Sequence, residues 1–351
     1  MIRKATVVSL CMAACWAALV VACRHNDAVL STTPHPYTLS LPDNFPPVQY
    51  DFASNPLTEE GIALGRVIFY DSKLSADSLV SCAFCHQQYA AFGHYDHALS
   101  HGVYGRIGVR TVPSIFNMIW NKAYMWDGGV INLDMQPLTP LTDHNEMGED
   151  LPTLLLHMQA DANYRKLFKA AFGTEEVTSQ RMFRAVIQFV ATLNSFHSKY
   201  DSVKAGNASF TPDEAAGYEV FQQNCATCHQ EPLFTDGSFR NNGLPVQPAL
   251  NDSGRMRITG NASDYLKFKV PSLRNIIRTE PYMHDGRFFD IFNVFDHYDH
   301  GIVQSATLDP LLKNGIPLNS AQQRQLYLFL NTLTDYQLLN DKTLADPATP
   351  Q

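Results

Sequence analysis

Apolar residues return at helical spacing from Thr58 onward, with Ile62, Leu64, Val67 and Ile68 leading into Phe69 and Tyr70. The pattern predicts a helix opened by Thr58. The same period covers Leu151 to Phe172, where Asp150 and Pro152 mark the start. It recurs over Thr178 to Tyr200, where Met182, Val186, Ile187, Phe189, Val190 and Leu193 form one apolar stripe. Thr211–Pro212–Asp213–Glu214 joins a threonine cap, a proline in the first turn and a glutamate three residues on. The helix it opens runs through Gly217 and Phe221, as the first runs through Gly65 and Phe69. Ser320–Ala321–Gln322–Gln323 reads as a capping box for a last helix with Leu326, Leu330 and Leu333 on one face. Between these segments the periodicity fails. Prolines over Asn132 to Gly148, and Gly, Asn and Pro over Glu231 to Asp264, predict irregular loops.

The ends of the chain read differently. Arg3 and Lys4 precede an apolar run from Ala5 to Ala22, the composition of an export signal over residues 1–22. Leu19–Val20–Val21–Ala22–Cys23 resembles a bacterial lipoprotein processing site, so membrane attachment through a lipid on Cys23 is expected. Residues 23–56, rich in Pro, Ser and Thr, are expected to form a tether, and the tail over 341–351 to fray. The 351 residues suffice for two domains, set at 57–201 and 210–340 with a small, polar linker at 202–209. The formal charge of −8 makes nucleic acid an unsuitable partner. It suits an exported surface that meets a basic electron carrier.

Chemistry enters with the cysteines. Cys82–Ala83–Phe84–Cys85–His86 and Cys225–Ala226–Thr227–Cys228–His229 are two copies of the run that covalent c-type haem attachment requires. Two thiols add across the porphyrin vinyls, and the adjacent imidazole is then placed to ligate iron. The other three of the seven cysteines, Cys11, Cys15 and Cys23, lie in the leader, so none is left for a disulfide in the exported protein. A second repeat supports the pairing. Val112 to Gly128 and Val270 to Gly286 align without a gap at an offset of 158, with nine of seventeen positions identical. The two haem units therefore read as a tandem duplication. Within it Trp126 takes the place of His284, and Phe116 that of Arg274, so the halves have diverged in role. The tryptophan is a candidate relay between haems. Arg255 and Arg274 are candidate partners of haem propionates. His94, His97 and His101 follow the first haem run, each within reach of an iron's far side.

Across roughly Leu57 to Asp335 the sequence resembles the bacterial dihaem cytochrome c peroxidase family, which includes MauG. The motifs that carry the resemblance are Ser81 through His86, Trp126–Asp127–Gly128, Gln136, Glu146–Met147, Lys269 through Asn275, and Pro281 through Gly286. The resemblance implies a mostly α fold of two tandem cytochrome c-like domains, each with one covalently attached c-type haem. It implies that the N-terminal haem reacts with peroxide while the C-terminal haem takes in electrons. His86 and His229 are then the proximal iron ligands, Glu146 the distal acid–base residue with Gln136 beside it, and Trp126 the residue between the haems. His284 stands beside the second haem. His101, followed by Gly102, is nearest to a loop histidine that caps the first iron in some resting peroxidases.

This sequence has two departures from the family. Peroxidases commonly offer the second iron a methionine where this chain has Tyr298, as MauG-like members do; Met283 is the rival ligand. The family's calcium site uses an asparagine that aligns with Thr111, together with carbonyls matching Thr279 and Pro281. The leading expectation is an exported, periplasmic, lipid-anchored peroxidase reducing hydrogen peroxide with electrons from a small c-type cytochrome, with calcium as a further ion and a homodimer as a candidate assembly. A MauG-like oxidase acting on a protein or other large substrate, and a non-catalytic dihaem carrier, are the alternatives.

Overall fold

The computed structural model describes residues 33–348. The leader expected over 1–22 and the lipid site expected at Cys23 lie outside them. Helix α1, Glu59–Tyr70, is capped by Thr58, whose Oγ1 accepts the Gly61 N–H at 3.0 Å. The segment read as one helix over Leu151 to Phe172 is two, α2 (Leu151–Ala160) and α3 (Ala162–Phe172). Asp161 makes the break: it ends α2 and its carboxylate caps α3 at the Asn163 N–H, 2.7 Å away. The next predicted helix is also divided. Helix α4 covers Ser179–Val190, and Ser198 opens α5, Lys199–Lys204, through a capping box with Asp201. Helix α6, Pro212–Asn224, has the predicted Thr211 cap. Strands β1 (Phe239–Arg240) and β2 (Phe268–Lys269) pair antiparallel, Phe239 opposite Lys269. Helix α7, Ile291–Asp296, runs into a π-turn over His297–Gly301. Helix α8, Ser320–Asn331, is capped by Asn319 with Gln322, one residue before the predicted cap, and α9 covers Tyr336–Asn340.

Two cores follow from the duplicated pattern. In the first, α1 lies against α4 so closely that a Cβ at Gly65 would stand 1.9 Å from the Ala185 carbonyl oxygen. In the second, α6 lies against α8, and a Cβ at Gly217 would stand 2.0 Å from the Gln325 carbonyl oxygen. The two glycines that the sequence pairs therefore do the same work, admitting a second helix onto the backbone. Phe69, Phe92 and Phe189 fill the first core, and Phe221, Phe234 and Phe329 the second. The repeat extends to backbone detail. Asn117 and Asn275 both have positive φ (56° and 58°), and their N–H groups donate to the Leu193 and Leu333 carbonyls.

Three expectations about chain organisation are corrected. Tyr200, expected in the first domain, is 1% exposed and packs in the second core with α5, so the chain changes cores before the 202–209 linker. The described part of the tether is packed too. Leu39, Leu41, Phe45 and Val48 cluster on Ile119 and Trp120, and the Trp120 indole N–H donates to the Pro46 carbonyl at 2.8 Å. The apolar residues among its prolines have surface to bury. The tail also returns to the first core: Leu344 is buried there, and Arg66 and Tyr70 donate to the carbonyls of Ala345 and Leu344.

Candidate active site

The first haem run forms a single helical turn, Cys82–Cys85, whose Ser81 cap accepts the Phe84 N–H at 3.1 Å. His86 ends the turn and donates from Nδ1 to the Phe92 carbonyl at 2.9 Å. That bond fixes the tautomer and leaves Nε2 as the lone pair, the form an iron ligand needs. Burial pushes the His86 imidazole down to about 4 and both thiols up to about 12, so the uncharged forms are held at neutral pH. Glu146 lies close enough to act electrostatically on both cysteines. Its own carboxyl is pushed up to about 7, chiefly by burial and then by the Asp143 carboxylate.

The loop carrying His101 closes on Glu146. A Cβ at Gly102 would meet the Asn145 and Glu146 carbonyl oxygens at 2.0 and 2.4 Å, and the Val103 N–H donates to the Glu146 carbonyl at 2.8 Å. The Gln136 amide stands 3.9 Å from the Met125 sulfur.

The second run borders a cavity of 310 Å³ that reaches to the junction with the first repeat. Cys225, Cys228, His229, Met283, Tyr298 and Trp126 all line it. His229 Nδ1 faces the Phe234 and Pro271 carbonyls at 3.2 and 3.1 Å, so its Nε2 is likewise the free lone pair. Tyr298 is placed by the π-turn, a distortion that often marks a functional residue. Burial pushes its phenol up to about 12, against a hydrogen bond with Asn242. The same Asn242 donates to the Met283 sulfur at 3.4 Å. Met125 and Met283, repeat partners, both have positive φ and both receive a side-chain amide.

These residues fit a haem. Two histidines have their outer nitrogens fixed by carbonyls, each beside a half-buried cysteine pair. The Ser114 hydroxyl lines the cavity and is buried without a partner in the protein, a donor left for whatever fills the space.

At the junction, Trp126 donates its indole N–H to the Thr111 carbonyl at 2.9 Å, while the Thr111 N–H donates to the His284 carbonyl at 2.9 Å. The two residues that replace one another in the repeat thus meet through Thr111. The His284 ring stacks on Phe268 at 3.7 Å, and burial pushes it down to about 4. Thr279 and Pro281 border the same cavity. The arginines are otherwise engaged. Arg274 is wholly buried in a two-bond pair with Asp201, at 2.9 and 2.7 Å, and donates also to the Pro232 carbonyl. Arg255 donates to the Asp127 carbonyl at 2.9 Å and covers the Phe239 ring. Their hydrogen bonds therefore go to protein partners, where the sequence had suggested propionates.

Several residues escaped the sequence reading. Lys269 is half-buried at the junction, donates to the Ala123 carbonyl at 2.9 Å, and is pushed down to about 8 by desolvation against the pull of Asp127. Arg110 ties Asp127 to Asp252 across the repeats, at 2.6 Å to each. Lys269 and Asp127 stand within quoted motifs, so their position was visible though their role was not. Asp252 and Asn242 lie in an irregular loop with no local signal.

A family model described as di-haem cytochrome c peroxidase matches residues 59–209. The chain is 33% identical over 287 residues to the methylamine utilization protein MauG of Methylorubrum extorquens, covering 80% of each. It is 34% identical over 245 residues to the cytochrome c551 peroxidase of Nitrosomonas europaea, covering 68% of this chain and 73% of that one. Among solved structures it matches a MauG-like protein associated with microbial copper homeostasis, with TM-score 0.82, 32% identity, and coverage of 89% of this chain and 99% of that one. The diheme peroxidase BthA from Burkholderia thailandensis shares the fold, with TM-score 0.70 at 21% identity over 86% of this chain and 93% of that one. By that identity and coverage, the protein built around these two Cys-x-x-Cys-His turns belongs to the di-haem cytochrome c peroxidase and MauG family of oxidoreductases, with two haem cofactors.

Proposed function

We propose that the protein reduces hydrogen peroxide to water at a haem held in the first core by Cys82, Cys85 and His86. The second haem, held by Cys225, Cys228 and His229, relays electrons from a small c-type cytochrome. Each cysteine pair joins its macrocycle through thioethers, in the periplasm to which the leader directs the chain. Peroxide reduction takes up two electrons and two protons and yields two waters. Bound haem supplies the iron and stores the oxidising equivalents; the chain supplies orientation and the proton path.

The observation that carries this reading is Glu146. A carboxyl enclosed beside the first cysteine pair and raised to about 7 is populated in both proton states near neutral pH, as a proton shuttle between two oxygens requires. Gln136 orients the peroxide beside it. His101, on the loop that packs against Glu146, is the residue that would hold the first iron at rest. Calcium belongs to the same reading, taking oxygens of Thr111, Thr279 and Pro281. Trp126 stands between the haems with its indole fixed by Thr111.

A second reading, a MauG-like oxidase of a protein or other large substrate, rests on Tyr298. Placed in the cavity with Cys225, Cys228 and His229, it would lower the second haem's potential if it held that iron as a phenolate, which favours storage of oxidising equivalents.

Turnover with peroxide and reduced cytochrome c, beside paramagnetic-resonance spectra before and after one-electron reduction, tests both. Turnover with a high-spin or displaceable first haem is expected. Peroxide consumption that oxidises a protein but not the cytochrome favours the second reading. Two protein ligands on each iron at every redox level leave an electron carrier and overturn both.

A further inference from the structure

We propose that His94, Asp96 and His97 form a binding site for a divalent transition-metal ion, distinct from both haems. Among the described residues they are the group of histidine, cysteine and acidic side chains whose donor atoms converge, all within 4.8 Å of one another. The proton count sharpens this. His94 is 3% exposed, and its Nδ1 faces the Cys85 carbonyl at 3.3 Å. Nδ1 donates there, so Nε2 carries a lone pair directed away from the haem turn. That nitrogen lies 2.6 Å from Nε2 of His97 and 3.1 Å from its Nδ1. The Asp96 carboxylate closes on His97 Nδ1.

Electron-pair donors are therefore gathered at one point with a single ring proton among them. Lone pairs this close repel unless something positive stands between them. A divalent cation there takes His94 Nε2, one ring nitrogen of His97 and an Asp96 oxygen together with His97 neutral, whereas without a metal the same contacts need a doubly protonated His97.

The surroundings suit an ion. A backbone carbonyl on the outer nitrogen is the usual support of a metal-bound histidine. The His101 ring stacks on His97 at 4.2 Å and 16° and limits its rotation. The His97 side chain is 31% exposed and that of Asp96 69%, so the site has an entrance and a coordination position open to water. Two imidazoles and one carboxylate make a borderline donor set, suited to zinc(II) and, more tightly, to copper(II).

Zinc(II) and copper(II) are titrated separately into haem-loaded protein previously dialysed against a chelator, with bound metal counted by elemental analysis after equilibrium dialysis. One zinc or copper ion per chain is expected, counted apart from the two irons and the proposed calcium, with copper the tighter. His97→Gln and Asp96→Asn, each with unchanged haem spectra, should weaken zinc binding by about tenfold or more, by analogy with the loss of supporting groups at metal sites. X-ray absorption of the zinc form should show imidazole scattering, reduced in His94→Gln. The proposal is overturned if no stoichiometric ion binds, or if the three variants bind zinc as tightly as the parent. It is also overturned if His94→Gln or His97→Gln converts the first haem to high spin while metal uptake stays absent, because the cluster then serves the iron.

Discussion

Glu146 owes its character to what surrounds it more than to its own chemistry. Burial opposes its charge, and the Asp143 carboxylate opposes it further, which brings a carboxyl of ordinary value 4.5 up to about 7. The group is neutral below that pH and charged above it. To take the first proton from peroxide it must be charged, so single-turnover rates should rise as the pH rises through about 7. Glu146→Gln should cost about 10²–10⁴-fold in that rate with both haems retained. Asp143→Asn removes a like charge, lowers the Glu146 value and moves the profile to lower pH. Rates unchanged in Glu146→Gln remove the residue from the mechanism. Arg274 illustrates the opposite case, a charge that is structural. Burial pushes the Asp201 carboxyl up, but Arg274 and then Ser198 outweigh it and hold the carboxyl below its ordinary value. The stability this lends is present above the ordinary carboxylate range and is lost as the pH falls through the lowered value. Arg274→Met leaves Asp201 buried without its partner, at a cost of about 3–5 kcal/mol near neutral pH. Urea unfolding should show the gap from the parent narrowing in acid, where Asp201 is protonated in both proteins. A gap that widened there would contradict the pairing.

At the level of elements, the caps and periods that depend on neighbours in sequence were legible. Thr58 and Thr211 open helices as their side chains predict, and Gly65 and Gly217 stand where helices touch. What was not legible depended on distant partners or on one residue breaking a long pattern. Asp161 could have been an ordinary exposed residue of a longer helix, and only its cap on Asn163 shows that it divides two. The two Cys-x-x-Cys-His turns were legible because their pattern is local. The Arg110–Asp127–Asp252 tie was not, because Asp252 lies far along the chain. The tail is the clearest miss, since its polar composition conceals Leu344, which is 8% exposed, and three side chains that seek its carbonyls, Arg66, Tyr70 and Gln88. Deleting residues 341–351 should therefore destabilise the first core. Burial of one leucine contributes about 1.5–3 kcal/mol and each hydrogen bond about 1 kcal/mol. Thermal unfolding should register a fall of several degrees; an unchanged midpoint would show that the packed tail contributes nothing.

Across the whole molecule, the duplication explains both the likeness of the halves and the place where they differ. Each repeat carries a loop from Val-Pro-Ser to Asp-Gly, and the two loops face the cavity at the junction from opposite sides of Thr111. On one side the diverged position is Trp126, on the other His284. Trp126 is fixed at three points: its indole donates to Thr111, its carbonyl accepts the Lys269 N–H at 2.8 Å, and Asp127 next to it is held by Arg110. On the proposed function, in which Trp126 stands between the haems, a ring held this firmly would lend its orbitals to transfer without reorganising. Trp126→Phe keeps the packing but gives up the indole. It should slow electron passage from the second haem to the first several-fold, measured after rapid photoreduction, while leaving the spectra of both haems and the initial rate with peroxide intact. Trp126→His, which copies the other repeat, should be slowed as well, because imidazole is harder to oxidise than indole. Transfer at the parental rate in both variants would mean that the junction conducts through its backbone and through Lys269, and that the divergence of the repeats at this position serves packing alone.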